Sequence, residues 1–455
     1  MTKILTTKVF PILFVGLMFV SCGDDSAGKE EVDFNTYTVS NAAEITEILP
    51  ELTAGDVIIL KNGEWHDQAI SVNSTGTEEK PIIFRAETAG SVMLTGNSTI
   101  DIRGEYVTVR GLYLKDIIPP LIASPSGSNH IVRVLGNNIL ITECAMTGEG
   151  QPIDNASQYM WMGLYGTNNT VSRCSFVDMA NFGNMLILWQ RKDSGYIGHK
   201  VEGCYFYRPR VAIDEKGEKI NGQEALRIGS GDPMSLVEAS CTVKNNYFFQ
   251  CDADAEVISC KSSKNLFESN IFRQCQGTLS LRSGNRNTVR NNWFFGDNVQ
   301  WTLGVRVMGN EHRIENNYFQ NLYRWGISLI KGGVGNDSWI PVAASNVIVK
   351  GNIFVDCPAA LAVNIGNNDT NPLSVSDNLI EDNVFSNPSG SSSILIQLFP
   401  DPVPAVGTTW KNNTYDNGRV LGIDATETMM RQTSIVRPEI PPVVISSDQY
   451  GVGWR

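Results

Sequence analysis

One short signature recurs along most of the chain and constrains its fold more than any other feature. Each copy ends in an aromatic or apolar residue, most often as Asn-x-Phe, and successive copies end 22 to 42 residues apart. The copies end at Met146, Phe176, Phe206, Phe248, Phe272, Phe294, Phe319, Phe354, Phe385 and Tyr415. A recurring unit of this length, with insertions of variable size, is typical of a solenoid in which each unit packs on its neighbours.

The repeating units favour one kind of solenoid. They hold several short β runs each and almost no helical periodicity, and the chain is rich in glycine and asparagine, which form turns. Leucine-rich repeats would need an L-x-x-L-x-L pattern, and propeller blades have a longer period of about 40–45 residues. We therefore predict an all-β protein with a right-handed parallel β-helix. The recurring asparagines would stack as a ladder at one corner of it, at Asn246, Asn270, Asn292, Asn317, Asn352, Asn383 and Asn413.

The start of the repeat region predicts a cap for this solenoid. Residues 41–52 have apolar residues at helical spacing, with Ser40 or Asn41 as the capping residue. The apolar run at 57–60 reads as the first of several short strands that follow. A short N-terminal helix would therefore cover the first turn of a single β-helix domain that spans residues 36–455.

The first 35 residues predict export and a lipid anchor. Residues 1–21 have a short basic start and an apolar run, which is typical of a signal peptide and too short to span a membrane. Cys22 follows a small residue and resembles the lipidated cysteine of bacterial lipoproteins, and residues 22–35 would be a polar tether. We expect a lipoprotein of the cell envelope, attached to the outer membrane and facing the surface or the periplasm. Plain secretion with an incidental cysteine is the alternative.

Charge and cysteines exclude several classes of function. The net charge of −12 argues against nucleic acid as the partner, although a local basic cleft can still bind an anionic polymer. Cys144, Cys174 and Cys204 lie 30 residues apart. This even spacing predicts buried free thiols stacked in successive coils, since a disulfide framework or a zinc site would need clustered pairs.

Residues suited to chemistry concentrate between positions 221 and 292. Asn221, Asp254 and Glu256 offer the oxygen atoms that a calcium ion prefers. Lys261 and Arg282 are 21 residues apart, close to one local repeat, so they would stack at nearly matching places on neighbouring coils. Because Lys261 follows Glu256 by an odd number of residues, a bend is needed before both side chains can face one cleft.

Such a face would suit β-elimination on a polysaccharide of uronic acids. The proton beside the uronate carboxylate is weakly acidic because the carboxylate resists further negative charge. A calcium ion could neutralise that carboxylate, and Lys261, with its pKa lowered by neighbouring cations, could remove the proton. Arg282 could stabilise the developing charge, although an arginine is a poor proton donor.

Several segments together resemble polysaccharide lyase family 6, the β-helical group of alginate lyases and chondroitinase B. They are A-G-D-V-I-I-L-K-N-G-E-W at 54–65, K-P-I-I-F-R-A at 80–86, L-Y-G-T-N-N-T-V at 164–171, N-G-Q-E-A-L-R-I-G at 221–229, E-V-I-S-C-K-S-S at 256–263 and G-T-L-S-L-R-S-G-N-R-N-T-V at 277–289. The resemblance spans roughly residues 36–420. The sequences of the segments at 221–229 and 277–289 are more similar to those of the alginate lyases than to those of the enzymes that cleave dermatan sulfate.

This resemblance implies a role for each residue of the site. Lys261 would be the base, and Arg282 the acid or charge stabiliser. The calcium ligands would be Asn221, Asp254 and Glu256. Two positions depart from the family pattern: Asp254 stands where glutamate is usual, and Ser283 where histidine is usual. Substrate binding is assigned to Arg306, Ser283 and Glu224.

The predicted activity is cleavage of alginate by a monomeric enzyme that binds this anionic polysaccharide and no nucleic acid. A lyase for dermatan sulfate and a non-catalytic carbohydrate-binding β-helix are the alternatives. A glycoside hydrolase on the same fold would need clustered aspartates, for which Asp252 and Asp254 are the candidates. The nearby Lys261 and Arg282 argue against that hydrolase.

Overall fold

The computed structural model describes residues 34–454 except 122–128, 191–194, 231–236, 336–339, 389–392, 400–406, 424–429, 436–437, 442 and 444–445. The predicted signal peptide, the lipidation site at Cys22 and nearly all of the tether lie outside the described residues. In the part of the chain that is described, no helix is long and apolar enough to cross a membrane.

Three long parallel sheets form the body of the protein, and each coil contributes one strand to each sheet. Sheet A contains Thr36–Val39, Val57–Leu60, Ile82–Ala86, Val107–Arg110, Leu140–Thr142, Thr170–Ser172, Lys200–Glu202, Thr242–Lys244, Leu266–Glu268, Thr288–Arg290, Arg313–Glu315, Ile348–Lys350, Leu379–Glu381 and Thr409–Lys411. Sheet B contains Gly63–His66, Val92–Thr95, Leu112–Lys115, Ala145–Thr147, Ser175–Val177, Tyr205–Tyr207, Tyr247–Phe249, Ile271–Arg273, Trp293–Phe295, Tyr318–Gln320, Ile353–Val355, Val384–Ser386, Asn413–Tyr415 and Met430–Gln432. Sheet C contains Ala69–Thr75, Thr99–Glu105, Asn129–Val134, Asp154–Leu164, Asn181–Phe182, Leu186–Leu188, Leu226–Ile228, Glu256–Lys261, Thr278–Ser283, Val305–Val307, Ile327–Ile330, Leu361–Ile365, Ile394–Leu398 and Arg419–Leu421. The predicted right-handed parallel β-helix is confirmed.

The recurring phenylalanines form the centre of the core. Their rings stack along the axis, with centroids 4.6–4.9 Å apart and planes tilted by 4–10° from one ring to the next. The stack runs through Phe176, Phe206, Phe248, Phe272, Phe294, Phe319, Phe354 and Phe385. The ring spacing equals the distance between strands, about 4.8 Å, because each ring occupies the same position in its coil.

The predicted asparagine ladder is also confirmed. From Asn246 to Asn413, each side-chain amide donates to the amide oxygen of the next ladder asparagine at 2.9–3.0 Å. The same oxygens accept the backbone N–H of the preceding ladder residue. The ladder satisfies polar groups that the tight turn would otherwise leave buried and unpaired.

Removing one rung is expected to destabilise the fold. In an Asn292→Ala variant, Asn270 loses the acceptor of both its backbone N–H and its side-chain amide, and the carbonyl of Phe267 loses a donor. Unsatisfied buried groups cost about 1–3 kcal/mol each, so we expect the free energy of unfolding to fall by about 3 kcal/mol. Denaturant unfolding measures this, with Asn97→Ala at an exposed turn as the control. Equal stability of the two variants would contradict the role of the ladder.

A second ladder at another corner was not predicted. It mixes asparagine and histidine, with members at Asn169, His199, Asn265, Asn287, His312 and Asn378. Nδ1 of His199 and of His312 accepts a backbone N–H at 3.1 Å. Burial lowers the pKa of His199 to about 3 and that of His312 to about 4, so both imidazoles are neutral and act as acceptors.

The N-terminal cap is shorter than the predicted helix over 41–52. The α-helix spans Ala42–Ile48, capped by the side chain of Asn41, and a single 3-10 turn follows at Leu49–Glu51. Pro50 explains the difference, because it lacks the N–H that an α-helix would need there. Ile45 is fully buried and fixes the helix on the first coil.

The C-terminal segment closes the outer face of sheet B. After the 3-10 turn Ser447–Gln449, the backbone N–H of Gly451 donates to the carbonyl of Gly203, and that of Val452 donates to Ser175. The ring of Trp454 meets Tyr113 edge-on, which covers an aromatic surface of the sheet. The eight described cysteines, which include the evenly spaced three, are all buried and free, as predicted.

Candidate active site

A row of outward side chains on sheet C forms the base of the site. Arg227, Ser259, Ser280 and Arg306 are direct partners in the register of four successive strands. Their neighbours along each strand are buried apolar residues, so this row faces outward by simple alternation. Two guanidinium groups therefore lie on one face with two hydroxyl groups between them.

Lys261 and Arg282 lie on adjacent strands of this face, but they are not register partners. Cys260 pairs with Leu281, whereas Lys261 pairs with Ser283, so Arg282 is the extra residue of a β-bulge. A second shift beside Val257 supplies the predicted bend and allows Glu256 to turn outward. The shift beside Val257 lets Glu256 share the outward face with Lys261 despite their odd separation, whereas Arg282 faces outward by simple alternation after Leu281.

The ammonium group of Lys261 lies in a field of opposing charges. Burial lowers the pKa of Lys261, and the positive charges of Arg227 and Arg282 lower it further. The negative charges of Glu224 and Glu256 oppose this shift. Within the described residues Lys261 makes no ion pair. A lysine that is partly buried and not held by a carboxylate is suited to lose its proton and act as a base.

Glu256 lies at the opposite end of its strand from Lys261. It forms an ion pair with Arg306, and Nε of Arg306 also donates to the hydroxyl of Ser280 at 3.0 Å. Burial lowers the pKa of Arg282, with Glu256 opposing and Arg306 assisting this shift. Arg282 also donates to the thioether of Met308 at 3.6 Å. The charges of Arg282, Arg306 and Glu256 therefore interact with one another.

Asp254 holds the loop that carries Asn221. Its Oδ2 accepts the backbone N–H groups of Gly222 at 2.9 Å and Gln223 at 3.0 Å, and its Oδ1 accepts that of Glu256 at 3.2 Å. Asp254 lies in the turn before the strand, and Asn221 is exposed. Asp254 therefore lies just outside the strand that begins at Glu256, and it contacts the backbone of that residue.

Glu224 lies beneath the surface of the cleft, although the sequence suggested substrate contact. It is buried, and its carboxylate accepts a hydrogen bond from the side-chain amide of Asn184. Burial raises the pKa of Glu224, and the charge of Asp254 raises it further, against Arg227 and Lys261. In this position Glu224 acts on the site through its charge and its hydrogen bond.

Two arginines near these residues, Arg208 and Arg227, were not predicted from the sequence. Arg208 is fully buried and donates to the carbonyls of Gly183 and Asn181 at 2.7 and 2.9 Å. Burial lowers its pKa to about 10, so it remains cationic near Asp254 and Glu224. Arg227 could have been found, because it stands between two apolar residues of a short strand and must point outward.

Asn221, Asp254 and Glu256 carry oxygen atoms of the kind that a hard cation prefers. Oδ1 of Asp254 accepts one N–H and so keeps a free lone pair, whereas Oδ2 accepts two. A cation bound there would share Glu256 with Arg306. Among the described residues, no group of three or more histidines, cysteines, aspartates and glutamates is placed to hold a metal.

Comparisons with known proteins place the fold. The chain matches the solved structure titled PL6 family alginate lyase AlyGC with a TM-score of 0.79 and 27% identity, over 92% of this chain and 56% of that one. It therefore spans little more than half of AlyGC. It also matches the PL6 family polysaccharide lyase Pedsa3628 from Pseudopedobacter saltans, with a TM-score of 0.72 and 25% identity, over 92% of this chain and 99% of that one.

A third structure is similar in fold, and a family comparison covers most of the chain. The structure is titled as a mannuronic acid specific polysaccharide family 6 lyase from human gut microbiota, with a TM-score of 0.73 and 22% identity, over 89% of this chain and 92% of that one. No curated protein matches the sequence. A family model described as Chondroitinase B matches residues 39–397. The chain therefore belongs to the chondroitinase B family of β-helical proteins, which is polysaccharide lyase family 6.

Proposed function

We propose that this protein is a polysaccharide lyase that cleaves alginate by β-elimination. The observation that carries the proposal is Lys261, a partly buried lysine of lowered pKa on the same face as Arg282 and Arg306. Family membership supports the reaction class, and the titles of AlyGC and of the mannuronic acid specific lyase support a uronate polymer as substrate.

The reaction begins with removal of a proton. Neutral Lys261 takes the proton from the carbon beside the substrate carboxylate, and the electron pair moves onto that carboxylate as an enolate. Arg282 and Arg227 stabilise the added negative charge in a partly water-excluded cleft. The electron pair then forms a carbon–carbon double bond as the glycosidic oxygen leaves, and this oxygen receives a proton from water, while protonated Lys261 returns its proton to the solvent.

Calcium remains part of the proposal. Asn221, Asp254 and Glu256 would hold the ion, which supplies positive charge that neutralises the substrate carboxylate and so makes the neighbouring proton more acidic. We also propose that the mature chain is a monomer, held at the cell envelope through a lipid on Cys22.

Cleavage of dermatan sulfate is the second candidate, because the matching family model is described as Chondroitinase B. The test is to incubate the mature protein separately with alginate and with dermatan sulfate and to follow the ultraviolet absorbance of the unsaturated uronate product. A chelator arm, with calcium and then magnesium added back, tests the metal. We expect a rise with alginate, reduced by chelation and restored by calcium. No rise with either polymer would overturn the proposed function.

The pH dependence of kcat/KM tests the electrostatics around Lys261. The base must be neutral, so activity rises as pH passes upward through the pKa of Lys261, which lies below its ordinary value of 10.5. Because the positive charge of Arg227 lowers this pKa, Arg227→Gln should move the rise to higher pH. Glu224→Gln should move it to lower pH, since this carboxylate raises the pKa. Arg286→Gln, on an exposed turn, is the charge-matched control. Shifts of the same sign in the Arg227 and Glu224 variants would contradict the assignment.

A further inference from the structure

An exposed aromatic cluster lies on two turns just before strands of sheet C. Trp301 precedes Val305–Val307, and Tyr323 and Arg324 precede Ile327–Ile330 in the next coil. Trp301 is 47% exposed and Tyr323 is 43% exposed, and their ring centroids are 5.4 Å apart. The guanidinium of Arg324 lies 4.4 Å from the ring centroid of Trp301. These three residues are called the Trp301 cluster below.

The backbone holds the Trp301 cluster in place at a conformational cost. Trp301 has a φ of 67°, a region that bulky side chains rarely adopt and that a glycine would occupy without strain. The two turns are joined through Thr302, whose hydroxyl accepts the N–H of Tyr323 and whose carbonyl accepts the N–H of Arg324, both at 3.0 Å. A strained and exposed tryptophan on a fixed turn points to a role in binding.

The charge of the cluster indicates what it binds. Arg324 makes no ion pair with any described residue, whereas arginines of nearby coils are paired, as in Arg273 with Asp297 and Arg290 with Glu268. A guanidinium that lies over an aromatic ring keeps its edge N–H groups free for a carboxylate. An aromatic face beside such a group suits a sugar acid, whose C–H face packs on a ring and whose carboxylate pairs with arginine.

The position of the cluster connects it to the site. Trp301 is five residues before Arg306, so it lies within about 17 Å of that residue along the chain, at 3.3 Å per residue. It is on the side of sheet C where Glu256 begins its strand, one coil beyond that of Arg282. A polysaccharide that occupies the cleft can extend over this distance.

We propose that the Trp301 cluster is a distal subsite that binds a further uronate residue of the polysaccharide and makes the enzyme favour long chains. This inference rests on the proposed function for its substrate class. The cluster itself takes no part in the proton transfer, because it lies outside the group of charges around Lys261.

The test compares long and short substrates. Trp301→Gly removes the ring and relieves the strained backbone, so it leaves the fold intact, and Arg324→Gln removes the charge. We expect each variant to lower kcat/KM on alginate polymer about 10-fold and to leave kcat/KM on a uronate trisaccharide unchanged. Arg290→Gln on sheet A is the charge-matched control. Equal activity of the variants and wild type on the polymer would overturn the subsite.

A binding measurement separates this inference from the proposed function. In the Lys261→Ala background, calorimetry with a long uronate oligosaccharide is expected to give a Kd about 10-fold higher when Trp301→Gly or Arg324→Gln is added. An unchanged Kd, or no binding by Lys261→Ala itself, would overturn the subsite. Failure of the wild type to cleave any uronate polymer would instead overturn the proposed function, whatever the binding result.

Discussion

Lys261→Ala is expected to lower kcat/KM on alginate by about 10³-fold or more, since a positioned base contributes roughly 10²–10⁴-fold to such a proton transfer. In the part of the chain that the structure describes, the charges that most affect the pKa of Lys261 are those of Arg227, Glu224, Glu256 and Arg282, and none of these residues is a lysine. Lys261→Arg should be as inactive as the alanine variant, because arginine keeps the positive charge but cannot lose its proton. The arginine variant is expected to retain most of the affinity for the polymer.

The control for these variants is Lys264→Ala, three residues along the chain. Lys264 is exposed and paired with Glu238 at 2.7 Å, so its loss should leave activity unchanged. The three variants are compared by their initial rates on alginate and by their Kd for the polymer. Substantial activity in Lys261→Arg would show that the charge of residue 261 matters and its basicity does not, and would contradict its role as base.

Arg282→Ala is expected to lower kcat about 10²–10³-fold with a smaller effect on KM. In the proposed reaction the guanidinium of Arg282 stabilises the negative charge that develops on the substrate, so its contribution would be greater in the transition state than in the bound substrate. Arg282→Lys should recover part of the loss, since it restores a charge without the paired N–H groups.

A nearby arginine provides the matched control for Arg282. Arg286 is exposed and forms an ion pair with Glu238 at 3.0 Å, so Arg286→Ala should behave as wild type. Steady-state kinetics on one alginate preparation measures all three variants. An Arg282→Ala enzyme that loses affinity while keeping kcat would place this residue in substrate binding alone.

The regular part of the fold could be predicted because its signal repeats. The phenylalanine stack and the asparagine ladder use one residue type at one position of each coil, so the sequence shows them directly. The second ladder uses His199 and His312 at positions where other coils have asparagine. Asparagine and histidine both accept a backbone N–H at this position of the coil. Because the residue type changes from coil to coil, the repeat is not evident in the sequence.

The candidate site was harder to predict because its residues lie on strands with irregular backbone pairing. The bulge beside Val257 decides that Glu256 faces outward, and the bulge at Arg282 takes that residue out of register with Lys261. A bulge depends on pairing with the neighbouring strand. The buried interactions could not be predicted from the sequence either. Asp254 accepts backbone N–H groups, and the buried charge of Arg208 interacts with the carboxylates of Asp254 and Glu224. The outward position of Arg227 follows from alternation alone and could have been inferred.

The most direct test of the central claim is the mass of the products formed from alginate in heavy-oxygen water. Elimination breaks the glycosidic bond without adding water, so the products of the wild type should carry an unsaturated uronate at one end and no label. Lys261→Ala should yield no such products. Saturated products, with one heavy oxygen incorporated for each bond cleaved, would show hydrolysis and contradict the account.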